Sequence, residues 1–383
     1  MKSAWAKALS LSFAVLAFMV AFGRVRSKPP SEFQIGEVAG TASVEAFAID
    51  NYTASSGSTP EVHAATAVEL SSGRIRAFWY GGTREGAKDV SIYTAVFEPE
   101  TGIWSADEVL VSRTSAGREL GRYIRKLGNP MVTRDQKGRL WLFFVSVSVG
   151  GWSGSAINFK VSDDEGQSWS RARRLVTSPF LNLGTLVRGA AFLYRDGTMG
   201  VPVYHELIGK FGELLRLDPD GRIVSKTRLS WGRSLYQPVV VPLTSSDAVA
   251  LFRQSHARLA RVFSARSSNA GVSFTPPEPT KLANPDAGIF ALRSGERHVL
   301  IAFNDSEVDR SNLKLALSKD SGRTFRIVYE VEPPATGDGE APRLAYPWLV
   351  ESRAGELHLL YTWDRTRIQH VRFRGAWRQV LER

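Results

Sequence analysis

The sequence predicts an all-β chain, a six-bladed β-propeller of four-stranded antiparallel blades, on three observations. An octet recurs as SDDEGQSW at 162–169, SSNAGVSF at 267–274 and SKDSGRTF at 318–325. A small-residue turn entering an apolar run keeps step with it, in SSGRIRAFW, QKGRLWLFF, RDGTMGVPV, SSDAVALF, RSGERHVLIAF and RAGELHLLY. No stretch shows helical amphipathicity, whereas segments such as WLFFVSVSV have the length and the branched and aromatic content of strands buried on both faces.

The spacing sets the number of repeats. Gly271 and Gly322 lie 51 residues apart and Gly166 and Gly271 lie 105 apart, so one copy stands between them, supplied by LDPDGRIV with Gly221. PETGIW, with Gly102 and Trp104, and FRGAW, with Gly375 and Trp377, extend the series to six turns. Repeats of this length, each with about four short strands, cannot bury their faces alone but can stack radially. The longer interval between Gly102 and Gly166 leaves room for an insertion, SRTSAGRELGRYIRKLG. Within the octet, the Ser and Asp oxygens suit main-chain N–H groups of their own turn. Gly supplies a positive φ, and the aromatic plugs into the sheet. The octet is therefore expected to be a hairpin clasp, with the chemistry on the innermost strands and their loops.

The N-terminus reads differently. Lys2 and Lys7 flank an apolar run from Ala8 to Phe22, followed by Gly23, Arg24, Arg26 and the pair Pro29 and Pro30. About fifteen apolar residues suit the core of a signal peptide better than a bilayer span. An uncleaved anchor through residues 8–22 is the alternative, because Arg24, Arg26 and Lys28 follow at once. Residues 1–27 are thus assigned to a signal peptide or membrane anchor, 28–60 to a polar linker with at most one strand, and 61–383 to the propeller. A periplasmic or secreted monomer is expected.

Composition narrows the partners. The 383 residues include no Cys, which excludes disulfides, thiolate metal sites and cysteine nucleophiles. The His residues lack the spacing of a zinc motif, so no metal and no cofactor is expected. A net charge of +11 favours anionic partners such as acidic glycans. The basic residues are scattered, which with export argues against nucleic acid.

Six residues fall once per repeat where the innermost strands should begin: His63, Asn129, Arg188, Gln237, Asp286 and Tyr346. Polar residues at positions flanked by apolar ones are poor core filling, so as a set they are expected to line the mouth, Asn129 and Gln237 in the more structural role.

The octet pattern Ser-x-Asp-x-Gly-x-Ser/Thr-Trp/Phe resembles the Asp boxes of the sialidase (neuraminidase) superfamily. With it stand HAATAVELSSGRIRAFWYGGTREGAKDVSIY, LGNPMV, VPVYHE, NPDAGIF and AYPWLVE, which resemble bacterial BNR-repeat sialidases over roughly residues 60 to 378. The resemblance implies an exported exo-glycosidase that hydrolyses a terminal acidic sugar, sialic acid or a relative, from a glycan or glycoconjugate. Such a site needs guanidinium forks for the substrate carboxylate, an acid for the leaving oxygen and, in sialidases, a Tyr nucleophile.

Carried over by motif, Arg253 and Arg310 hold the carboxylate, Asp89 in YGGTREGAKD is the acid/base with Glu85 as its rival, Arg84 lines the pocket and Tyr346 attacks. Two departures stand out. VHAA puts His63 where the superfamily carries a third Arg, and SLYQPVVVP lacks the Glu that polarises the Tyr, for which Glu206 in VYHE is the substitute. Arg188, Gln237 and Asp286 are expected to line the substrate site. His205 is expected to meet a substrate hydroxyl or to be structural, and His256, His298, His358 and His370 to be surface or core residues. The cluster Arg118, Arg122, Arg125 and Lys126 is a solvated loop or closes over an anionic glycan. Two alternatives keep the fold: a polysaccharide lyase or uronic-acid glycosidase with His63 or Tyr346 as base, and a non-catalytic propeller that binds acidic glycans.

Overall fold

Short apolar runs punctuated by turn residues produce one strand after another along this chain, as its turn chemistry requires. The structure, a computed structural model, describes residues 31–36, 46–178, 182–255, 259–333 and 341–382. Residues 1–27, expected from the sequence to be a signal peptide or anchor, and His256 lie outside the described residues.

After β1 (Ala48–Thr53) come β2 (Glu61–Glu69), β3 (Ile75–Gly82) and β4 (Ser91–Glu98), with β5 (Ile103–Trp104) and β6 (Glu108–Val111) both paired to β4. The next sheet holds β7 (Lys126–Arg134), β8 (Leu140–Val147), β9 (Ser155–Ser162) and β10 (Arg173–Arg174). Then follow β11 (Thr185–Val187), β12 (Phe192–Leu193), β13 (Met199–His205), β14 (Lys210–Leu217) and β15 (Ile223–Arg228). They share a nine-stranded sheet with β16 (Ser234–Pro242), β17 (Ala248–Gln254), β18 (Arg261–Ser267) and β19 (Glu278–Ala283). The two halves of that sheet are antiparallel within themselves. They join only where β14 and β16 run parallel, at Lys210 opposite Ser234 and Phe211 opposite Leu235. Four-stranded sheets follow, β20 (Phe290–Arg293), β21 (Val299–Phe303), β22 (Leu313–Ser318) and β23 (Arg326–Glu332), then β24 (Leu344–Glu351), β25 (Leu357–Trp363) and β26 (Arg367–Arg374).

The fourth strand of the last sheet comes from the other end of the chain. β1 pairs with β26 from Ala48 opposite Arg374 to Thr53 opposite Gln369, and Arg374 Nε reaches Asp50 Oδ2 at 2.6 Å. Part of 28–60 is therefore built into the sheets, and Phe33 is fully buried beside Tyr194. The inner strands meet in turn: β2 touches β7 and β24, β7 touches β11, β13 touches β16, and β20 touches both β16 and β24. Ala67, Thr133, Ala191, Val241, Ala291 and Leu349, one from each inner segment, line a single cavity of about 430 Å³ toward the ends of these segments, away from their starts.

The octets are clasps. Gly166 N–H donates to Ser162 Oγ at 2.8 Å, Gly271 N–H to Ser267 Oγ at 2.9 Å and Gly322 N–H to Ser318 Oγ at 2.8 Å. Asp164, Asn269 and Asp320 accept from the N–H two residues past the Gly, at 2.8, 3.0 and 2.8 Å. The hydrogen bonds from Ser168 hold the Asp164 carboxyl down at about 2. The octet aromatics Trp169, Phe274 and Phe325 each pack against a core cluster.

Helices do occur, contrary to the sequence expectation. Arg113–Leu120 lies in the expected insertion and Trp377–Glu382 near the C-terminus. The first buries only Ala116, so it has no apolar stripe to betray it, and it is held by its ends. Ser112 and Ser115 form a reciprocal capping box, and Gly121 closes the helix at φ 64°.

Ser318 is buried and its hydroxyl is the acceptor for the buried Gly322 N–H. Ser318→Ala should lower stability by about 1–3 kcal/mol, the cost of an unpaired buried donor. Asp320→Asn should change it much less, since Asn269 already makes the equivalent bonds. Urea unfolding of the two variants checks this, and equal losses would argue against the clasp.

Candidate active site

Four inner strands slip register near their starts, between His63 and Thr66, Gly128 and Met131, Tyr236 and Val239, and Ala345 and Trp348. At each slip sits a left-handed residue, Ala64 (φ 56°), Asn129 (45°), Gln237 (48°) or Tyr346 (52°), and Asp286 (55°) leads into β20 in the same conformation. Such bulges re-aim side chains. Here they help gather polar groups from every inner segment at one end.

A continuous hydrogen-bond chain crosses the site. Asn129 Nδ2 and Gln237 Nε2 donate to the Tyr204 hydroxyl at 2.9 and 3.2 Å. Arg253 donates through NH1 to Gln237 Oε1 at 2.9 Å, through Nε to Asp286 Oδ1 at 2.8 Å and through NH2 to the Asp286 carbonyl. Tyr236 Oη donates to the same Asp286 Oδ1 at 2.9 Å, and Arg310 NH2 reaches the Asp286 carbonyl at 2.6 Å. Burial opposes the charge of Arg253, but Tyr346, Tyr236 and Asp286 outweigh it and its pKa rises. Burial and then the neighbouring Arg253 lower that of Arg310.

Tyr346 stands beside this chain. Its ring meets His63 edge to face at 4.8 Å and lies 4.9 Å from the Arg188 guanidinium. Gly288 backs the ring so closely that a Cβ there would fall 2.6 Å from Tyr346 Cδ1. Among the described residues, no hydrogen bond engages the Tyr346 hydroxyl.

Arg188 is only 2% exposed. It donates to the carbonyls of Ala65 at 3.0 Å, Tyr346 at 3.0 Å and Pro347 at 3.3 Å, tying together backbone from β2 and β24, and burial lowers its pKa to about 10. His63 is 3% exposed and its Nδ1 has no partner. Burial first, then the fields of Arg365, Arg188, Arg310 and Arg343, push its pKa well below the usual value, so the ring is neutral at neutral pH. Burial raises the pKa of Glu206, against the pull of Lys210 and Arg253.

Three expected site residues make no contact with this group among the described residues. The Asp89 carboxylate is exposed and folded back on Thr83, whose N–H and hydroxyl donate at 2.8 and 2.5 Å and lower its pKa. Arg84 is exposed. His205 pairs with Glu213 at 3.1 Å and stacks on Phe211 at 4.3 Å. Glu85, the rival to Asp89, pairs with Arg365 at 2.8 Å, whose field reaches His63. Sequence reasoning passed over Tyr204, Tyr236, Arg343 and Arg365. Alternation along β13 was the available signal for Tyr204, which must share a face with Glu206 and not with His205.

A model of the BNR repeat-like domain matches residues 73–359. The chain belongs to the BNR repeat-like family. No curated protein matches this BNR repeat-like chain in sequence. Among solved structures it is similar to the Hadza microbial sialidase Hz136, with TM-score 0.68, 16% identity and coverage of 84% of this chain and 67% of that one. The NanB sialidase from Streptococcus pneumoniae gives 0.67 at 12% identity over 89% and 70% of the two chains. A protein of unknown function from Dyadobacter fermentans gives 0.65 at 15% identity over 87% and 99%. The BNR-repeat resemblance read from the octets and the accompanying motifs is thus met by the family model, and the fold is one that solved sialidases share.

Buried histidines held neutral should make this protein acid-sensitive. Besides His63, His358 Nδ1 and His370 Nε2 lie 2.9 Å apart, both fully buried, and burial lowers the pKa of each. The folded chain therefore binds fewer protons than the unfolded chain just below the ordinary His value of about 6.5. Stability is full above that pH and declines as pH falls through it. Urea midpoints should drop between pH 7.5 and 5.5, and a midpoint that holds or rises would contradict the neutral rings.

Proposed function

We propose that the six strand groups are the blades of a six-bladed propeller, and that its polar cup is an exo-glycosidase site of the sialidase type acting on a terminal acidic sugar. The observation that carries this reading is Tyr346: an unengaged hydroxyl on a ring seated by Arg188, His63 and Gly288, beside Arg310.

The substrate carboxylate needs donors that are not already spent. Arg253 directs Nε and both terminal nitrogens to Asp286 and Gln237, so it serves as a strut unless substrate displaces Asp286. Arg310 spends one nitrogen on a carbonyl, and exposed Arg343 acts on it electrostatically. These two receive the carboxylate in our reading. A neutral phenol approaches such a sugar with less repulsion than a carboxylate nucleophile would, which is the reason for Tyr in this role.

The acid assignment shifts from Asp89 to Glu206. Its neighbours hold Asp89 ionised to lower pH, whereas burial lets Glu206 keep its proton to higher pH, as a general acid requires. Tyr346 Oη bonds to the anomeric carbon as the glycosidic C–O bond breaks, its proton passes to the free nitrogen of neutral His63, and Glu206 protonates the leaving oxygen. Water then cleaves the glycosyl–tyrosine bond with Glu206 as base while the proton returns from His63 to Tyr346 Oη, so configuration is retained. Asp89 joins only after leaving Thr83.

A second reading, a lyase on an acidic polysaccharide, is favoured by one observation: His63 is neutral, with a free buried Nδ1 beside Tyr346. An unsaturated uronate product, seen by its ultraviolet absorbance, would select it.

With an aryl glycoside of sialic acid, kcat/KM should fall as pH rises past a value above the ordinary Glu pKa of about 4.3. Glu206→Gln should remove that limb and cost about 10²–10⁴-fold in rate, and Tyr346→Phe should abolish turnover while leaving binding. Full activity in both variants would defeat the reading, and binding with no product from any acidic glycan would leave a non-catalytic receptor.

A further inference from the structure

We propose that the Lys88 loop and the inserted helix Arg113–Leu120 form a second binding site, for an anionic sugar residue, beside the cup but outside it. The helix is well anchored. Arg113 donates through Nε to the Ile124 carbonyl at 2.9 Å and through NH1 to the Lys88 carbonyl at 2.7 Å, drawing the 83–90 loop against the helix. Between them lies a hollow of about 330 Å³ lined by Lys88, Arg113, Thr114, Arg118, Arg122 and Tyr123, with no carboxylate in its wall. That volume is within the range of small-ligand pockets, about 300–1,000 Å³.

The helix has one acid, and it is committed elsewhere. Glu119 binds Lys160 Nζ and the Ala172 N–H, both at 2.5 Å. Arg118 and Arg122 are exposed, and no side-chain hydrogen bond or ion pair engages either among the described residues. Unspent guanidinium forks match carboxylate or sulfate oxygens. Tyr123 is 66% exposed, with the Arg113 guanidinium 5.9 Å from its ring. An exposed aromatic face among cations suits a pyranose ring bearing an acid better than a bare ion. Lys88 shares its loop with Glu85, which pairs with Arg365 at the cup. An acidic oligosaccharide with one residue in the cup would run along this loop. The site does not depend on turnover in the cup.

The test titrates a fluorescently labelled tetrauronide into the full chain in an Arg310→Gln background, which removes the least committed guanidinium of the cup. Arg118→Gln with Arg122→Gln should weaken binding about tenfold, as two rim ion pairs would. Arg222→Gln with Arg323→Gln, an equal loss of exposed charge elsewhere, should leave it unchanged. Tyr123→Ala should weaken the tetrauronide but not inorganic sulfate. Equal effects of the two double variants, no effect of either, or an indifferent Tyr123→Ala would overturn the proposal. Absence of binding in the Arg310→Gln background overturns it too, and leaves the cup reading standing. Binding that survives there and weakens about tenfold on loss of Arg118 and Arg122 supports it whatever the cup does.

Discussion

A left-handed residue at the head of the inner strands is the constraint on which the site depends. Ala64, Asn129, Gln237, Asp286 and Tyr346 all hold φ between 45° and 56°, a conformation that costs a non-Gly residue about 1–3 kcal/mol. The surrounding sheets over-determine it. Each bulge breaks the ladder for two residues, which frees a side chain from the strand's alternation and aims it at its counterparts. Asn129, Gln237 and Tyr346 each precede a Pro, which contributes no N–H to a broken ladder. The remaining group solves the same problem differently. Arg188 is followed by Gly189, where a Cβ would lie 2.2 Å from the Pro238 carbonyl oxygen, so close approach replaces the bulge.

The charges in this cup are largely balanced by the protein itself. Arg188 is buried against three carbonyls, and Arg253 is ion-paired with Asp286 at 2.8 Å. Buried charge is tolerated only when its hydrogen bonds are satisfied, and these are. Breaking the Arg253–Asp286 pair would strand one charge, so both residues belong to the scaffold of the site. The less committed groups of the cluster are Arg310, Arg343, Tyr346 and the neutral His63. A neutral imidazole in place of a cation lowers the positive potential there, and it leaves a hydrogen-bonding nitrogen next to Tyr346.

Much of this was legible because repetition is a property of the chain. The octets located the clasps, and one polar residue per repeat located the inner-strand heads, since a polar group at a strand head flanked by apolar neighbours has few other uses. Direction was not legible. Arg188 and Arg310 look alike in sequence, yet one spends both terminal nitrogens on the carbonyls of residues 65, 346 and 347 and the other only one, on the Asp286 carbonyl, a difference made by distant segments. The motif favours Asp89 over Glu85, but Thr83 captures Asp89 locally while Glu85 finds Arg365 across the fold. The inserted helix carries no apolar periodicity in its sequence, because its stability comes from Ser112, Ser115 and Gly121 at its ends. The closing strand β1 lay in a stretch whose polar composition suggested a linker.

Whether these bulges assemble a working nucleophile is tested most directly by covalent trapping. A fluorinated acidic sugar with a good leaving group, incubated with the protein and followed by peptide mass spectrometry, should leave one glycosyl group on the peptide that carries Tyr346. A label on any other residue, or none while the unfluorinated sugar is turned over, would contradict the account.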